Sequence, residues 1–317
     1  MKNSLWRSAA DISVLKARAQ LLKKLRTFFD ERDVLEVDVP VLARAAVTDP
    51  HIDSIVSQVC GEPCYLQTSP EFFMKRLLAS GSGDIYSLGK AFRNGEAGRK
   101  HNPEFTMLEW YRVGWDETRL MNEVVELIQS CVSVSSVETL TYRKLFQQHL
   151  NIDPHTESVA TLRAIANRYG EFDWQDGDRD LWLDVLMTHA IEPQMGDGLV
   201  LVFDFPASQV ALARLDKDDH GEIIARRFEA YIAGIELANG YWELCDADEQ
   251  ARRLEQDLKK RDLMGLPQYP SDQHLLSALQ SGMPECAGVA LGVDRLLMLA
   301  TGDHDIRQLL AFPFERV

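Results

Sequence analysis

The chain is poor in basic charge and in cysteine, and it has no long apolar run. Lysine and arginine total 34 against 49 aspartate and glutamate, a formal net charge of −15 at pH 7. Broad binding to nucleic acid or to an anionic membrane needs a basic surface, so both are disfavoured. Basic residues gather only in short groups: Lys75-Arg76, Arg99-Lys100-His101, Arg252-Arg253 and Lys259-Lys260-Arg261. No apolar stretch has the length a bilayer requires. The N-terminal stretch MKNSLWRSAADISVLKARAQ has no apolar h-region, so no signal peptide is expected. Of the five cysteines only Cys60 and Cys64 lie close together, and no second pair completes a zinc site. Free thiols of a cytoplasmic protein are the expectation. There is no G-x-G-x-x-G, no P-loop, no repeat and no low-complexity linker.

What is present is a globular composition, 45% hydrophobic and 26% charged over 317 residues. Val14 to Arg32 predicts an amphipathic helix, with Val14, Leu21, Leu22, Leu25, Phe28 and Phe29 on one stripe. Leu35 to Val39 alternates strictly and stops at Pro40, as a strand would. Pro70 opens a helix that Gly81-Ser82-Gly83 closes. Ile85–Arg93 and Glu104–Gly114 read as two strands around a polar loop, followed by a helix over Glu117–Val132. The stretch Thr139–Glu192 mixes short helices with polar breaks, including Gln175-Asp176-Gly177-Asp178-Arg179-Asp180. Residues 139–195 are therefore read as a helical insertion within one domain spanning 1–317. Leu199–Phe205 and Ala225–Leu237 read as further strands, Asp246–Met264 as a charged helix, and Val293–Ala300 as an apolar helix after a glycine-rich turn. Strands in succession with helices between groups predict an α+β fold, an antiparallel sheet flanked by helices.

Three segments carry charge inside or beside apolar runs: Ile85–Gly114, Gly234–Leu244 and Gly288–Leu297. Buried charge is costly unless it is paired or bound. Arg93, Glu104, Glu109, Glu236, Glu243, Asp294 and Arg295 therefore need partners. Side chains or a charged ligand would supply them.

These blocks resemble the class II aminoacyl-tRNA synthetases. The helix and strand ending at Pro40, Phe92-Arg93 with its hairpin, and Gly292-Val293-Asp294-Arg295 match motifs 1, 2 and 3 in order. TSPEFFMKRLL, HNPEFTMLEWY, GIELANGYWELCDADEQ and LLAFPFERV resemble the lysyl branch. With the motif 1 helix beginning near Val14, no anticodon-binding barrel like that branch's is expected. Ser69 stands where the synthetases have alanine, and Ala290 where they have glycine. Both features resemble truncated paralogues that attach (R)-β-lysine to a lysine of elongation factor P.

That resemblance implies an ATP-dependent ligase forming an aminoacyl-adenylate from (R)-β-lysine or lysine, with AMP and pyrophosphate as products. It implies elongation factor P as acceptor, a homodimer built on motif 1, and no stable tRNA binding. Arg93 would lie between the carboxylate and the α-phosphate, and Arg295 on the γ-phosphate, where a planar guanidinium binds two oxygens at once. His101, Asn102 and Phe105 would take the nucleotide, with Leu237 and Gly292 beside it. Glu229 and Glu236 would hold Mg2+. Glu109 and Glu243 would bind the distal ammonium, with Tyr111 along its flank. Glu71, with the Ser69-Pro70 turn, would take the other amine. Asn239 and Gly240 would shape a turn between Glu236 and Glu243, Asn239 would also touch the substrate, and Ala290 would floor the pocket. The family has glutamate two residues after the motif 2 arginine, where this chain has Gly95. Two alternatives stay open there: Glu96 takes the role, or the backbone of Asn94-Gly95 does.

Bland readings compete residue by residue. Arg93 alone would be an interstrand ion pair, Arg295 a partner for Asp294, Glu229 a surface bridge to Arg226-Arg227, and Glu71 a helix-end residue. Two whole-chain rivals are a minimal lysyl-tRNA synthetase and a non-catalytic regulator. The acidic charge opposes the first, and retention of Arg93, Glu236 and Arg295 opposes the second.

Overall fold

A computed structural model describes residues 5–172, 174 and 177–317. Met1–Ser4 of the N-terminal stretch and Gln175 and Asp176 of the polar break lie outside the described residues. The chain forms two compact units. One comprises Met1–Trp115, Leu127–Val132 and Leu244–Val317, the other Asp116–Glu126 and Ser133–Glu243. Each is described by itself.

In the first unit α1 (Ile12–Asp30) buries Leu21, Leu25, Phe28 and Phe29. Their spacing of four, three and one is the inward stripe of a helix. Phe29 stacks on Tyr86 at 4.4 Å and meets Trp110 edge-on at 5.4 Å. Those rings stand on β5 (Ile85–Phe92) and β6 (Glu104–Val113), so the helix covers one face of that pair. The strand order is β1-β5-β6-β12, with β1 at Leu35–Glu36 and β12 at Cys286–Gly292. Only β1 runs parallel to its neighbour. A small sheet of β2 (Leu42–Ala43), β4 (Glu62–Leu66) and β3 (Val56–Val59) is also present. The helices are α2 (Glu71–Ala79), α7 (Ala247–Leu263), α8 (Gln273–Gln280) and α9 (Val293–Thr301). By residue, α3 (Glu117–Cys131) is divided between the two units.

In the second unit β7 (Val137–Thr141) lies parallel to β8 (Leu199–Pro206). Next come β10 (Ile223–Ile232) and β11 (Ile235–Trp242), both antiparallel, with β9 (Leu215–Lys217) on β10. A core around Phe146, Trp182, Leu183 and Val202 packs α4 (Tyr142–Leu150), α5 (Val159–Ala166) and α6 (Arg179–Leu186) on β8. The expected helical segment is therefore present, although it starts inside a strand. Among the described residues no helix is long and apolar enough to cross a membrane.

The structure corrects four sequence readings. Ala225–Leu237 is not one strand but a hairpin turning at Ala233-Gly234. Both residues have positive φ, 51° and 66°, as a two-residue turn matched to strand twist requires. A Cβ on Gly234 would come within 2.4 Å of the Glu192 carbonyl oxygen, so only glycine fits. With the turn placed there, Asn239-Gly240 is not a turn but lies within β11. Gly288–Gly292 is likewise strand, not a turn. The alternating run Leu35–Val39 pairs only at Leu35–Glu36, with one further bond from Val37 N–H to the Tyr86 carbonyl at 2.8 Å. Leu35 is 56% exposed, so its alternation does not mark a buried face.

Candidate active site

In the first unit the site face is created by what the outer strands omit. Successive strand side chains point to opposite faces. On β6, Thr106, Leu108 and Trp110 lie on the face covered by α1, leaving Phe105, Met107, Glu109 and Tyr111 on the other. Their cross-strand neighbours are Ala91, Gly89, Ser87 and Ile85 on β5. On β12 the partners of Met107, Glu109 and Tyr111 are Gly292, Ala290 and Gly288. The direct neighbours of Glu109 on both sides, Ser87 and Ala290, are small. A Cβ added at Gly89 would meet nothing within 4 Å.

Glu109 is 2% exposed. Its Oε2 accepts from the Ser69 hydroxyl at 2.7 Å and its Oε1 from the Tyr111 hydroxyl at 2.8 Å. Ser69 Oγ in turn accepts the Glu71 N–H at 3.1 Å. Ser69, Glu71, Glu109 and Tyr111 are therefore one connected group, whereas the sequence reading set Glu109 and Tyr111 at one amine of the substrate and Ser69 and Glu71 at the other. Pro70 is the N-cap of α2 and sets Glu71 in its first turn. Glu71 is not a lone carboxylate: the Lys75 ammonium, buried one helical turn on, lies 2.7 Å from it. The i,i+4 spacing was the available signal for Lys75.

Arg93 follows the end of β5, where its N–H donates to the Pro103 carbonyl at 2.9 Å. The guanidinium sits 5.2 Å from the Phe105 ring centroid and 3.6 Å from Glu96. Its Nε is buried with no hydrogen-bond partner among the described residues. A buried guanidinium N–H of that kind suits an anionic ligand. Gly95 has φ +78°, a conformation that L side chains rarely adopt, so a glutamate there would be strained. The carboxylate one residue later, Glu96, is the one that reaches Arg93. The Asn94 amide donates to Asp53 at 2.7 Å.

Arg295 does not pair with Asp294. Its Nη2 donates to His101 Nε2 at 2.7 Å, joining a motif 3 residue to the motif 2 loop. Asp294, which the sequence marked only as needing a partner, accepts from Arg18 at 2.6 Å and from the Thr106 N–H at 2.7 Å. Glu104 needs no buried partner, since it is exposed and pairs with Lys90 at 3.1 Å. The Asn102 amide is committed to scaffold: it donates to the Glu104 carbonyl at 2.7 Å and accepts the Phe314 N–H at 3.0 Å. Gly292 caps α9 beside the aliphatic stem of Arg295.

In the second unit the register of β10 and β11 positions the acidic pair. Glu229 faces Asn239 and Ala230 faces Ala238, but Tyr231 faces Glu236. Leu237 is thus an extra residue with no partner on β10, a β-bulge. Across a flat hairpin Glu236 and Asn239, three apart, would point to opposite faces. The bulge puts Glu229, Tyr231, Glu236 and Asn239 on one face. Glu229 is buried and accepts short hydrogen bonds from the Arg227 guanidinium and the Tyr231 hydroxyl. The bridge to Arg227 is therefore internal, not at the surface. Arg227 also donates to the Asn239 side chain at 3.2 Å. Burial pushes the Glu229 carboxyl up to about 7; Arg227 opposes this and the Glu236 charge adds to it. The alternation of 227, 229 and 231 was legible as a strand face, but its two supporting side chains were not singled out.

No group of three or more metal-ligating side chains is found among the described residues. Two carboxylates on one face fit Mg2+ all the same, because magnesium is commonly held by one or two carboxylates plus substrate phosphates. Glu243 is 0% exposed, at the end of β11 beside Ala213.

The chain matches the family model described as tRNA synthetases class II (D, K and N) over residues 4–316. It is 48% identical to the elongation factor P–(R)-beta-lysine ligase of Yersinia pestis (strain Pestoides F), over 97% of this chain and 97% of the relative. The same identity and coverage hold for the ligase of that name from Yersinia pseudotuberculosis serotype O:3 (strain YPIII). Motif order, the antiparallel sheets flanked by helices and this full-length match agree, and the chain belongs to the class II tRNA synthetase family.

Proposed function

We propose that this chain is an ATP-dependent ligase that activates (R)-β-lysine, or lysine, as an aminoacyl-adenylate and transfers it to a lysine side chain of elongation factor P. The observation that carries this is the 48% identity, across 97% of both chains, to relatives of that name. The buried Glu109 carboxylate, flanked by the small residues Ser87 and Ala290, supports a cationic amino acid as substrate.

Activation brings a carboxylate and a triphosphate together, and negative charge grows on phosphoryl oxygens. Fixed cations aimed at that charge are the main help a protein can give. Arg93 meets the carboxylate and the α-phosphate; Arg295, with His101, meets the outer phosphates. Phe105 stacks on adenine, Asn94, Gly95 and Asn102 line its loop, and Leu237 and Gly292 border the nucleotide. Glu229 and Glu236 would hold Mg2+, which supplies charge neutralisation on the phosphates. Glu109, Tyr111, Asn239 and Glu243 bind the amino acid, with Ser69, Pro70, Glu71 and Ala290 shaping its near end. The acceptor amine attacks the mixed anhydride, and AMP leaves. No nucleophilic side chain of the ligase is required. The ligase acts as a homodimer and does not bind tRNA stably.

ATP–pyrophosphate exchange with each lysine isomer, followed by mass measurement of elongation factor P, tests this. Exchange with (R)-β-lysine and a gain of one lysyl mass on the acceptor are expected. Efficient charging of lysine tRNA at physiological salt, with no mass gain, would reject the acceptor.

Glu243→Gln is expected to weaken amino-acid binding ~10–10²-fold, the worth of a charged hydrogen bond, and to leave ATP binding near normal. Equal losses for both ligands in calorimetry would remove Glu243 from the amino-acid site. Ala290→Gly is expected to shift kcat/KM toward α-lysine relative to (R)-β-lysine. Ala290 lies directly across from Glu109, and one methyl discriminates by ~1–3 kcal/mol. An unchanged isomer ratio at a temperature where the variant stays folded would leave Ala290 with packing alone.

A further inference from the structure

We propose that the acceptor protein docks on an aromatic and basic surface formed by Trp6, Phe312 and Phe314 with Arg7, Arg99 and Lys100, and that the face it presents is acidic around an apolar centre. This docking presupposes the ligase activity proposed above and says where its protein substrate sits.

The three aromatics are 72%, 51% and 59% exposed. One exposed aromatic needs no explanation, but a contiguous group marks a binding surface. Contiguity here comes from the backbone. Ala9 N–H donates to the Ala311 carbonyl at 2.8 Å, and Ala10 N–H to that of Leu310 at 3.2 Å. The Arg316 guanidinium donates to the Arg7 carbonyl at 3.0 Å. The two ends of the chain are thus stitched side by side, and the aromatics stand on anchored backbone. Little ordering entropy remains to be lost when a partner covers them.

The surface adjoins the nucleotide loop. Phe314 N–H is the donor to the Asn102 side chain, and Ile306 N–H donates to the Arg99 carbonyl at 2.9 Å. His101, which holds Arg295, stands between Arg99 and Asn102 in that loop. An acceptor lysine that attacks the adenylate has to arrive from a body resting close to this loop.

Charge selects the kind of body. Among the described residues Arg7, Arg99 and Lys100 make no ion pair. Arg307 lies 2.5 Å from Asp305 and 4.0 Å from Glu315, and the Arg99 charge also acts on Asp305 without pairing with it. In a chain of net charge −15 an acidic partner is repelled over most of the surface and steered to such a local exception. A second copy of this chain fits poorly. A two-fold interface would set the same cations against each other.

Two variants test the assignment. One combines Trp6→Ser, Phe312→Ser and Phe314→Ser; the other is Arg7→Glu, an exposed single change that does not depend on the apolar group. For each, pyrophosphate exchange, transfer to elongation factor P over a range of acceptor concentrations, and light scattering are measured. Exchange within about twofold of wild type is expected, with the KM for the acceptor raised ~10-fold or more and unchanged oligomeric state. Transfer kinetics like wild type in both variants would overturn the docking surface. So would dissociation into monomers, which would make it an interface between copies. Failure of the ligase activity itself has a different signature: the unaltered protein would show no exchange with either lysine isomer.

Discussion

Replacing Arg93 with alanine is expected to lower pyrophosphate exchange ~10²–10³-fold, the usual cost of losing one preorganised charge at a reacting centre. The protein should stay folded, because the Arg93–Glu96 pair is part-exposed, at 28% and 31%, and such pairs add little stability. Arg93→Lys should recover only a small part of the rate. Lysine offers a point charge where a fork binds two oxygens. The buried Nε points to this outcome, since it has no hydrogen-bond partner among the described residues. Exchange kinetics at saturating ATP decide the matter, with circular dichroism as the check on folding. Near-normal exchange in Arg93→Ala would return Arg93 to a structural role beside Phe105.

Asp294→Ala should have the largest effect on stability, a loss of about 3–5 kcal/mol. Asp294 is 2% exposed and spans α1, β6 and α9. Its Oδ1 takes the Arg18 guanidinium and its Oδ2 the Thr106 N–H, while Arg18 also donates to Thr106 Oγ1 at 2.6 Å. Alanine would leave a guanidinium and an amide without their acceptor. Urea titration should show a lower midpoint with an unchanged slope. The neighbouring Arg295→Ala should change stability by no more than ~0.5 kcal/mol, the range for surface positions, yet depress exchange. A midpoint for Asp294→Ala equal to wild type would refute the division of labour between these adjacent residues.

Much of this was legible in the sequence because helices and charges announce themselves locally. The stripe at Leu21, Leu25, Phe28 and Phe29, the Pro70 start and the Glu117 helix follow from periodicity and capping. Arg93, Glu109 and Arg295 stood out as charges set in apolar runs. Strand boundaries near glycine were harder. In the stretch Gly288 to Gly292, small residues imitate a turn when they are in fact one face of a strand stripped of bulk. At Ala233-Gly234 the true turn was hidden, because an alanine with positive φ has no local signature. Asp294 was visible only as a charge needing a partner. Its partners lie 276 and 188 residues away in sequence, and no local pattern encodes them. Placing Glu236 on the same face as Glu229 and Asn239 was hidden in a similar way, because it depends on a register shift.

That register shift also constrains how this hairpin can change length. With Leu237 present, Glu236 and Asn239 share a face. Deleting it would set Glu236 and Asn239 two apart, where a flat ladder keeps both on that face; the kink and extra twist of the bulge would go, but not the facing. Replacing Leu237 leaves the spacing of three, so the facing then depends wholly on the ladder keeping its bulge. Length in this segment is therefore governed by parity. An odd spacing between Glu236 and Asn239 needs a bulge, and an even one does not. Among relatives of this chain, a one-residue gap between 236 and 239 should mark a hairpin that has lost the bulge and kept its acidic face.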